Sequence, residues 1–173
     1  MGADDQVYKV LVVDDEEILR ELIVQILNME GHQCEAAANG KEAMDLMELH
    51  AFDAVITDIC MPEMDGITLT REVIARYGDL PIMVITGYPD RYSSESAVKA
   101  GAREFIVKPF SSPELTVRFN KMMADFALVS QIKGKKSELA RKGSKVLGEV
   151  KSEAERIKRL QEEIASLKFR QLD

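Results

Sequence analysis

The alternation of short apolar runs with helical patterns is the feature that most constrains the fold of this chain. Apolar runs typical of buried strands are each followed by a segment whose apolar residues recur at helical spacing, and this happens five times. The connections are short. Alternation of this kind predicts an α/β fold, a doubly wound parallel sheet with helices on both faces. The predicted strands are residues 7–13, 34–38, 54–57, 82–85 and 105–107.

Unusual polar residues follow four of these runs. Asp14 and Asp15 follow the first, Asp58 the third, Thr86 the fourth and Lys108 the fifth. Because ligands of open α/β sheets bind at the carboxyl ends of the strands, we expect these side chains to lie together. Three carboxylates in one cleft repel each other and need a cation, and ligands made only of oxygen favour Mg²⁺. The set suits a phosphoryl group bound through Mg²⁺, with one acid as the acceptor.

Single residues of this set allow other interpretations. Asp58 alone could be a metal ligand, a nucleophile or a helix cap, and the pair Asp14 and Asp15 alone is more typical of a cap. The two cysteines, Cys34 and Cys60, are too few and too far apart for a disulfide framework or a zinc site. The combination of residues at the strand ends favours the phosphoryl site.

The chain resembles the receiver domain of two-component response regulators, whose simplest member is the chemotaxis response regulator. The resemblance covers residues 6–125, and it implies a flavodoxin-like, five-stranded parallel sheet in the order 2-1-3-4-5. It rests on motifs at family-like spacing, namely Val13-Asp14-Asp15, Asp58 with Met61-Pro62-Glu63-Met64-Asp65-Gly66, Thr86-Gly87 and Lys108-Pro109-Phe110.

The resemblance implies a role for each matching residue. Asp58 would accept the phosphoryl group, Asp15 would ligate Mg²⁺ directly, and Asp14 would do so mainly through water. The backbone carbonyl of Cys60 would be a further metal ligand. The phosphoryl group would be bound by Thr86, Gly87 and Lys108, and Thr86 would move towards it while Phe105 turns inward. The peptide bond between Lys108 and Pro109 would be cis.

Two positions tune the rate of dephosphorylation in the family, and here they hold Cys60 and Tyr88. Neither side chain offers a carboxylate or an amide that could hold an attacking water molecule. We therefore expect a phosphorylated Asp58 that decays over many minutes or longer.

Composition limits the partners and the compartment. The formal net charge is -7, which argues against nucleic acid as a partner, so direct DNA binding is not expected. No apolar run has membrane-spanning length, and the acidic N-terminus is unlike a signal peptide, so we expect a cytoplasmic protein without a membrane partner. His32 and His50 belong to no recognisable motif and are expected to be solvated.

Residues 126–173 differ in character from the predicted receiver of residues 6–125. Residues 1–125 carry a net charge of -12, whereas residues 126–173 carry +5. A heptad seam in this helical extension, formed by Ile157, Leu160, Ile164 and Leu167, predicts a parallel two-stranded coiled coil through residues 149–170, hence a homodimer. Glycines lower helix propensity upstream, so a break is expected within residues 131–148. The alternative is a tail that packs on its own receiver.

These inferences predict a signalling switch that takes a phosphoryl group from a histidine kinase or phosphotransfer protein and then changes its binding to an unknown downstream protein. It would not be an enzyme on other substrates. One alternative is a receiver-plus-linker fragment of a larger regulator. A Mg²⁺-dependent phosphotransferase with an aspartyl phosphate is less well supported, because such enzymes generally carry a second aspartate where this chain has Cys60. A structural coiled-coil protein with an inactive receiver is disfavoured by the complete set of site residues.

Overall fold

The computed structural model describes residues 6–88 and 94–170. The strands are β1 (Lys9–Val13), β2 (Gln33–Ala37), β3 (Ala54–Asp58), β4 (Ile82–Thr86) and β5 (Glu104–Val107). The helices are α1 (Glu17–Met29), α2 (Gly40–Leu49), α3 (Gly66–Tyr77), α4 (Ser94–Ala100) and α5 (Ser112–Arg170).

The sheet has five parallel strands in the order β2-β1-β3-β4-β5, as predicted. The order reverses between β1 and β3, because the chain first adds β2 on one side of β1 and then continues on the other. Both β3 and β4 are buried along their whole length, which explains their continuous apolar composition. The carboxyl ends of β1, β3, β4 and β5 therefore lie side by side at one edge.

Each face of the sheet is covered by its own apolar cluster. One face packs against α2, α3 and α4, with Met47, Leu69 and Ala97 among the buried side chains. The other face packs against α1 and the first part of α5, with Leu27 and Phe119 among them. Because alternate strand residues point to opposite faces, both clusters draw on the same strands, and the strand ends are held rigidly between them.

Side-chain caps fix where the helices begin. Asp65 accepts hydrogen bonds from the backbone N–H groups of Ile67 and Thr68, both at 2.9 Å, at the start of α3. Ser111 accepts a bond of 3.3 Å from the N–H of Glu114 and so caps the start of α5. These caps end the loops after β3 and β5 at defined points, and both loops carry site residues.

His32 is less solvated than expected, whereas His50 is exposed, as expected. Both ring nitrogens of His32 are buried without a hydrogen-bond partner among the described residues. Its ring lies between those of Tyr8 and Phe119, with centroid distances of 5.4 and 5.2 Å. His50 pairs with Glu35 through Nδ1 at 2.8 Å. The expectation fails for His32 because packing between distant segments surrounds its ring, and no local motif indicates such packing.

The chain divides into two units, residues 1–126 and 127–173. In the second unit every described side chain from 127 to 159 is exposed. The break predicted within residues 131–148 is wrong, because α5 is helical throughout this range. Each glycine costs only about 1 kcal/mol relative to alanine, and strong helix formers surround it. An ion pair of 2.7 Å between Glu138 and Lys142, four residues apart, adds to the helix.

Within the described residues, no helix combines the length and the apolar character that crossing a membrane requires.

Candidate functional site

Asp58 is the last residue of β3 and is only 4% exposed. Its two carboxylate oxygens have different partners. Oδ2 accepts a hydrogen bond of 2.5 Å from the backbone N–H of Cys60, and Oδ1 lies 2.7 Å from Nζ of Lys108. The N–H of Ile59 bonds to the carbonyl of Ile85, which continues the pairing with β4 just past the strand end. The carboxylate is therefore held in one orientation at the edge of the sheet.

Lys108 follows β5, and its backbone N–H bonds to the carbonyl of Thr86 at 2.8 Å. This bond directs the lysine towards β3. Its ammonium lies 3.1 Å from Oδ2 of Asp14 and 3.2 Å from Oε1 of Glu16, besides the contact with Asp58. Burial lowers the pKa of Lys108, but the hydrogen bonds and charges of Asp58 and Asp14 outweigh burial and raise that pKa above its ordinary value. The lysine is thus firmly cationic.

Asp14 is 1% exposed, immediately after β1. Its Oδ1 accepts a bond of 2.8 Å from the N–H of Glu16, and its carbonyl accepts one of 2.6 Å from Nη1 of Arg20. Burial raises the pKa of Asp14, and the neighbouring charge of Asp58 adds to the rise. The N–H of Glu16 and the charge of Lys108 oppose it. Such a carboxylate stabilises a cation placed nearby.

Asp58 and Lys108 border a cavity of about 400 Å³ at the carboxyl edge of the sheet. The cavity is open to solvent, so a phosphoryl donor can approach from outside. Asp15 is exposed there, whereas Cys60 is half-buried. The lining residues are Asp15, Glu16, Asp58, Cys60, Gly87, Tyr88 and Lys108.

The ligand chemistry of the cavity fits a hard divalent cation, because Asp15 and Asp58 contribute carboxylates to its lining. The side chains are not arranged around such an ion in this conformation. In the part of the chain that the structure describes, no three His, Cys, Asp or Glu side chains form a metal-ligand cluster. The ammonium of Lys108 instead bridges Asp14 and Asp58.

Thr86 ends β4 and is fully buried. Its hydroxyl oxygen accepts a bond of 3.1 Å from the N–H of Tyr88, a residue whose side chain is 62% exposed at the cavity. Phe105 on β5 is half-buried and packs against the cluster shared with α3 and α4. The peptide bond between Lys108 and Pro109 is cis, as predicted.

The structure brings Asp14, Asp58 and Lys108 into direct contact and places Asp15, Cys60, Gly87 and Tyr88 around the same cavity. Thr86 lies at the same edge, with its hydroxyl turned to its own loop. Sequence reasoning missed Glu16 and Arg20, which contact Lys108 and Asp14. The one available signal was their position just after Asp14 and Asp15, at the start of α1.

Comparison with known proteins identifies the family of this fold. Residues 10–120 match the family model described as the response regulator receiver domain. The chain belongs to the response regulator receiver family. The matched region contains every site residue described above.

Relatives of this receiver are response regulators of greater length. The response regulator MprA of Mycolicibacterium vanbaalenii is 35% identical over 115 residues, which are 66% of this chain and 50% of MprA. The chain thus spans about half the length of the curated relatives it matches. Among them, the probable transcriptional regulator ycf27 of Cyanidium caldarium is 32% identical over 116 residues, 67% of this chain and 46% of ycf27.

Solved structures show the same fold. NtrX from Brucella abortus is 29% identical with a TM-score of 0.71, and the match covers 75% of this chain and 29% of NtrX. The chemotaxis response regulator CheY4 of Vibrio cholerae is 29% identical with a TM-score of 0.62, covering 68% of this chain and 99% of CheY4. The CheY4 match therefore concerns a protein that is a receiver over nearly its whole length.

Proposed function

We propose that this chain is a cytoplasmic signalling switch in which Asp58 accepts a phosphoryl group from a histidine kinase or a phosphotransfer protein. The observation that carries the proposal is the environment of Asp58. It is a buried carboxylate fixed by one backbone N–H and one lysine, and it faces an open cavity. Phosphoryl transfer needs positioning and charge neutralisation more than covalent help from the protein, and these contacts supply both.

In the transfer, the bond between phosphorus and the donor breaks as a bond to a carboxylate oxygen of Asp58 forms. Lys108 stays protonated and pairs with the phosphoryl oxygens. Mg²⁺, when bound, supplies positive charge for those oxygens, and Asp14, Asp15, Asp58 and the carbonyl of Cys60 are the groups that would hold it. The protein acts on its own aspartate only, so we do not propose an enzyme with a separate substrate.

The response to phosphorylation involves Thr86 and Phe105. The hydroxyl of Thr86 would leave its hydrogen bond with the N–H of Tyr88 and bind a phosphoryl oxygen instead. The backbone of Gly87 would make a further contact with the phosphoryl group. The space that Thr86 leaves would be taken by the half-buried ring of Phe105. This movement alters the surface formed by α4 and β5, where an output partner would bind. The longer relatives leave open whether this output lies in another protein or in further parts of the same regulator.

We also propose that residues 149–170 form a parallel coiled coil with a second copy of this chain. The side chains of Val150 and Ile157, which occupy a positions, are 59% and 50% exposed. A helix whose apolar stripe is this narrow and exposed suits a partner helix. Glu163 at g matches Lys168 at e of the partner, which favours the parallel arrangement.

The phosphoacceptor is tested by incubating the full chain with acetyl phosphate and Mg²⁺ and locating the acyl phosphate by mass spectrometry. Wild-type protein should be labelled at Asp58, and Asp58→Asn should abolish labelling. Asp45→Asn on the exposed side of α2 makes the same chemical change away from the cavity and should leave labelling intact. Labelling of Asp58→Asn at another residue would contradict the proposal.

A further inference from the structure

Lys108 has no hydrogen-bond donor to spare. An ammonium carries three N–H donors, and three carboxylates approach this one. The distances from Nζ are 2.7 Å to Asp58, 3.1 Å to Asp14 and 3.2 Å to Glu16. An incoming phosphoryl group can therefore pair with Lys108 only if one of these carboxylates gives up its contact.

The three carboxylates differ in how firmly they are held. Asp14 is buried and fixed by the N–H of Glu16, and Asp58 is the acceptor itself. Glu16 has a side chain that is 67% exposed. It occupies the N-cap position of α1, yet its side chain makes no capping hydrogen bond. The carboxylate of Glu16 is directed to the ammonium of Lys108 instead. The ion pair with Lys108 therefore orients the side chain of Glu16.

We propose that Glu16 is a positioning residue that competes with the phosphoryl group for Lys108 and so slows phosphorylation of Asp58. This inference rests on the proposed function. In the resting state Glu16 takes one donor of the ammonium, and its negative charge repels the anionic phosphoryl donor at the mouth of the cavity. When the phosphoryl group is transferred, Lys108 exchanges the carboxylate of Glu16 for a phosphoryl oxygen. No proton moves in this exchange.

The sequence offers variants that separate the contact from the charge. Glu16→Gln removes the charge. Glu16→Asp keeps the charge but shortens the side chain by one methylene, which draws the carboxylate away from Lys108. Glu17→Gln removes an equal charge from the neighbouring exposed residue in the first turn of α1. Both positions are on the surface, so the three variants should fold.

The first measurement is the rate of labelling by acetyl phosphate at saturating Mg²⁺. Exposed ion pairs are worth up to about 1 kcal/mol, so Glu16→Gln should be labelled about two- to fivefold faster than wild type. Glu16→Asp should also be faster, and Glu17→Gln should resemble wild type. Equal rates for wild type and Glu16→Gln, or a faster rate for Glu17→Gln than for Glu16→Gln, would overturn the proposal.

The second measurement is the affinity for Mg²⁺ alone, by calorimetry. Glu16→Gln should bind Mg²⁺ about two- to fivefold more weakly because the cavity loses a negative charge, whereas Glu16→Asp should bind it as wild type does. A purely structural role for Glu16 would not give faster labelling together with weaker Mg²⁺ binding. A Glu16→Gln protein whose Mg²⁺ binding is unchanged or tighter would therefore also contradict the proposal.

If wild type is not labelled at Asp58, the proposed function fails and this inference with it. If wild type is labelled at Asp58 and Glu16→Gln is labelled at the same rate, the inference about Glu16 fails but the proposed function stands.

Discussion

At the scale of single residues, Gly66 sets the position of the loop that carries Asp58. A Cβ atom at Gly66 would lie 1.9 Å from the carbonyl oxygen of Asp58 and 3.0 Å from Oγ1 of Thr57. Since that carbonyl also accepts a hydrogen bond of 2.9 Å from Thr57, the loop cannot move aside freely. Gly66→Ala should lower the free energy of unfolding by about 1–3 kcal/mol, measured by urea titration, and should slow labelling of Asp58.

Gly87→Ala is the matched control, because its Cβ would meet only Lys108 Cδ at 3.9 Å, an ordinary van der Waals distance. It should change the unfolding free energy by less than about 0.5 kcal/mol. A Gly66→Ala protein that unfolds at the same urea concentration as wild type would show that the close approach has no structural consequence.

The lifetime of the phosphorylated state is a second property of single residues. Cys60 and Tyr88 border the cavity, and neither has an amide or a carboxylate to orient a water molecule. Cys60→Asn should shorten the lifetime on the order of tenfold, because an oriented water attacks more often. Decay is followed by mass spectrometry after the donor is removed. Cys60→Ser, which adds no amide, should stay slow, and wild-type decay within seconds would refute the expectation.

The sequence predicts single residues well where the backbone alone decides their position. Asp14, Asp58 and Lys108 stand at the carboxyl ends of β1, β3 and β5, which lie at one edge of the parallel sheet, so their meeting follows from the topology. Glu16 and Arg20 reach the site through long side chains on α1. Their contacts depend on rotamers chosen by tertiary packing, for which the sequence has no comparable pattern.

At the scale of elements, the strands and helices of the receiver follow from their apolar periodicity, and their boundaries from caps such as Asp65 and Ser111. The break predicted within residues 131–148 shows the limit of local reasoning. Three glycines suggest a weak point, but the cost of each is small compared with the helix-forming tendency summed over the whole segment. Helix formation is cooperative, so a few unfavourable residues do not end a helix of this length.

The packing of Tyr8 and Phe119 around His32 should make this part of the fold sensitive to acid. Burial lowers the pKa of His32 below its ordinary value of 6.5, and the charge of Glu30 only partly opposes this shift. Because the folded pKa lies below the unfolded one, the unfolded chain binds more protons at low pH. The free energy of unfolding should therefore fall as the pH drops through 6.5.

His32→Phe keeps an aromatic ring between Tyr8 and Phe119 and removes the titrating group. The unfolding free energy is measured by urea titration at pH 7.5, 6.5 and 5.5, chosen at about one unit on either side of the ordinary histidine pKa. The unfolding free energy of His32→Phe should fall less steeply with acid than that of wild type. Parallel profiles for His32→Phe and wild type would exclude His32 as the source of acid sensitivity.

At the scale of the whole molecule, the receiver and the C-terminal unit differ in what their sequences determine. In residues 10–120 the apolar periodicity, the order of strands and helices and the site residues all agree with the receiver fold. In the second unit the sequence determines a helix. What this helix would bind is indicated only by a stripe of exposed apolar side chains along it. Leu139 is 70% exposed and Val146 is 58% exposed, so the stripe extends well upstream of residue 149. We expect a second copy of the chain to cover this stripe, because its apolar residues follow a heptad spacing.

The oligomeric state of the full chain tests this expectation. If residues 149–170 pair in parallel, light scattering should give twice the chain mass of 19.4 kDa. The double change Ile157→Gln and Ile164→Gln places polar side chains at two a positions and should shift the protein to the monomer, since the seam loses its apolar contacts. Glu155→Gln with Glu162→Gln alters the outer f positions and should leave the dimer intact. A wild-type protein of single-chain mass, or a dimer that survives the isoleucine changes, would show that this seam does not join two copies.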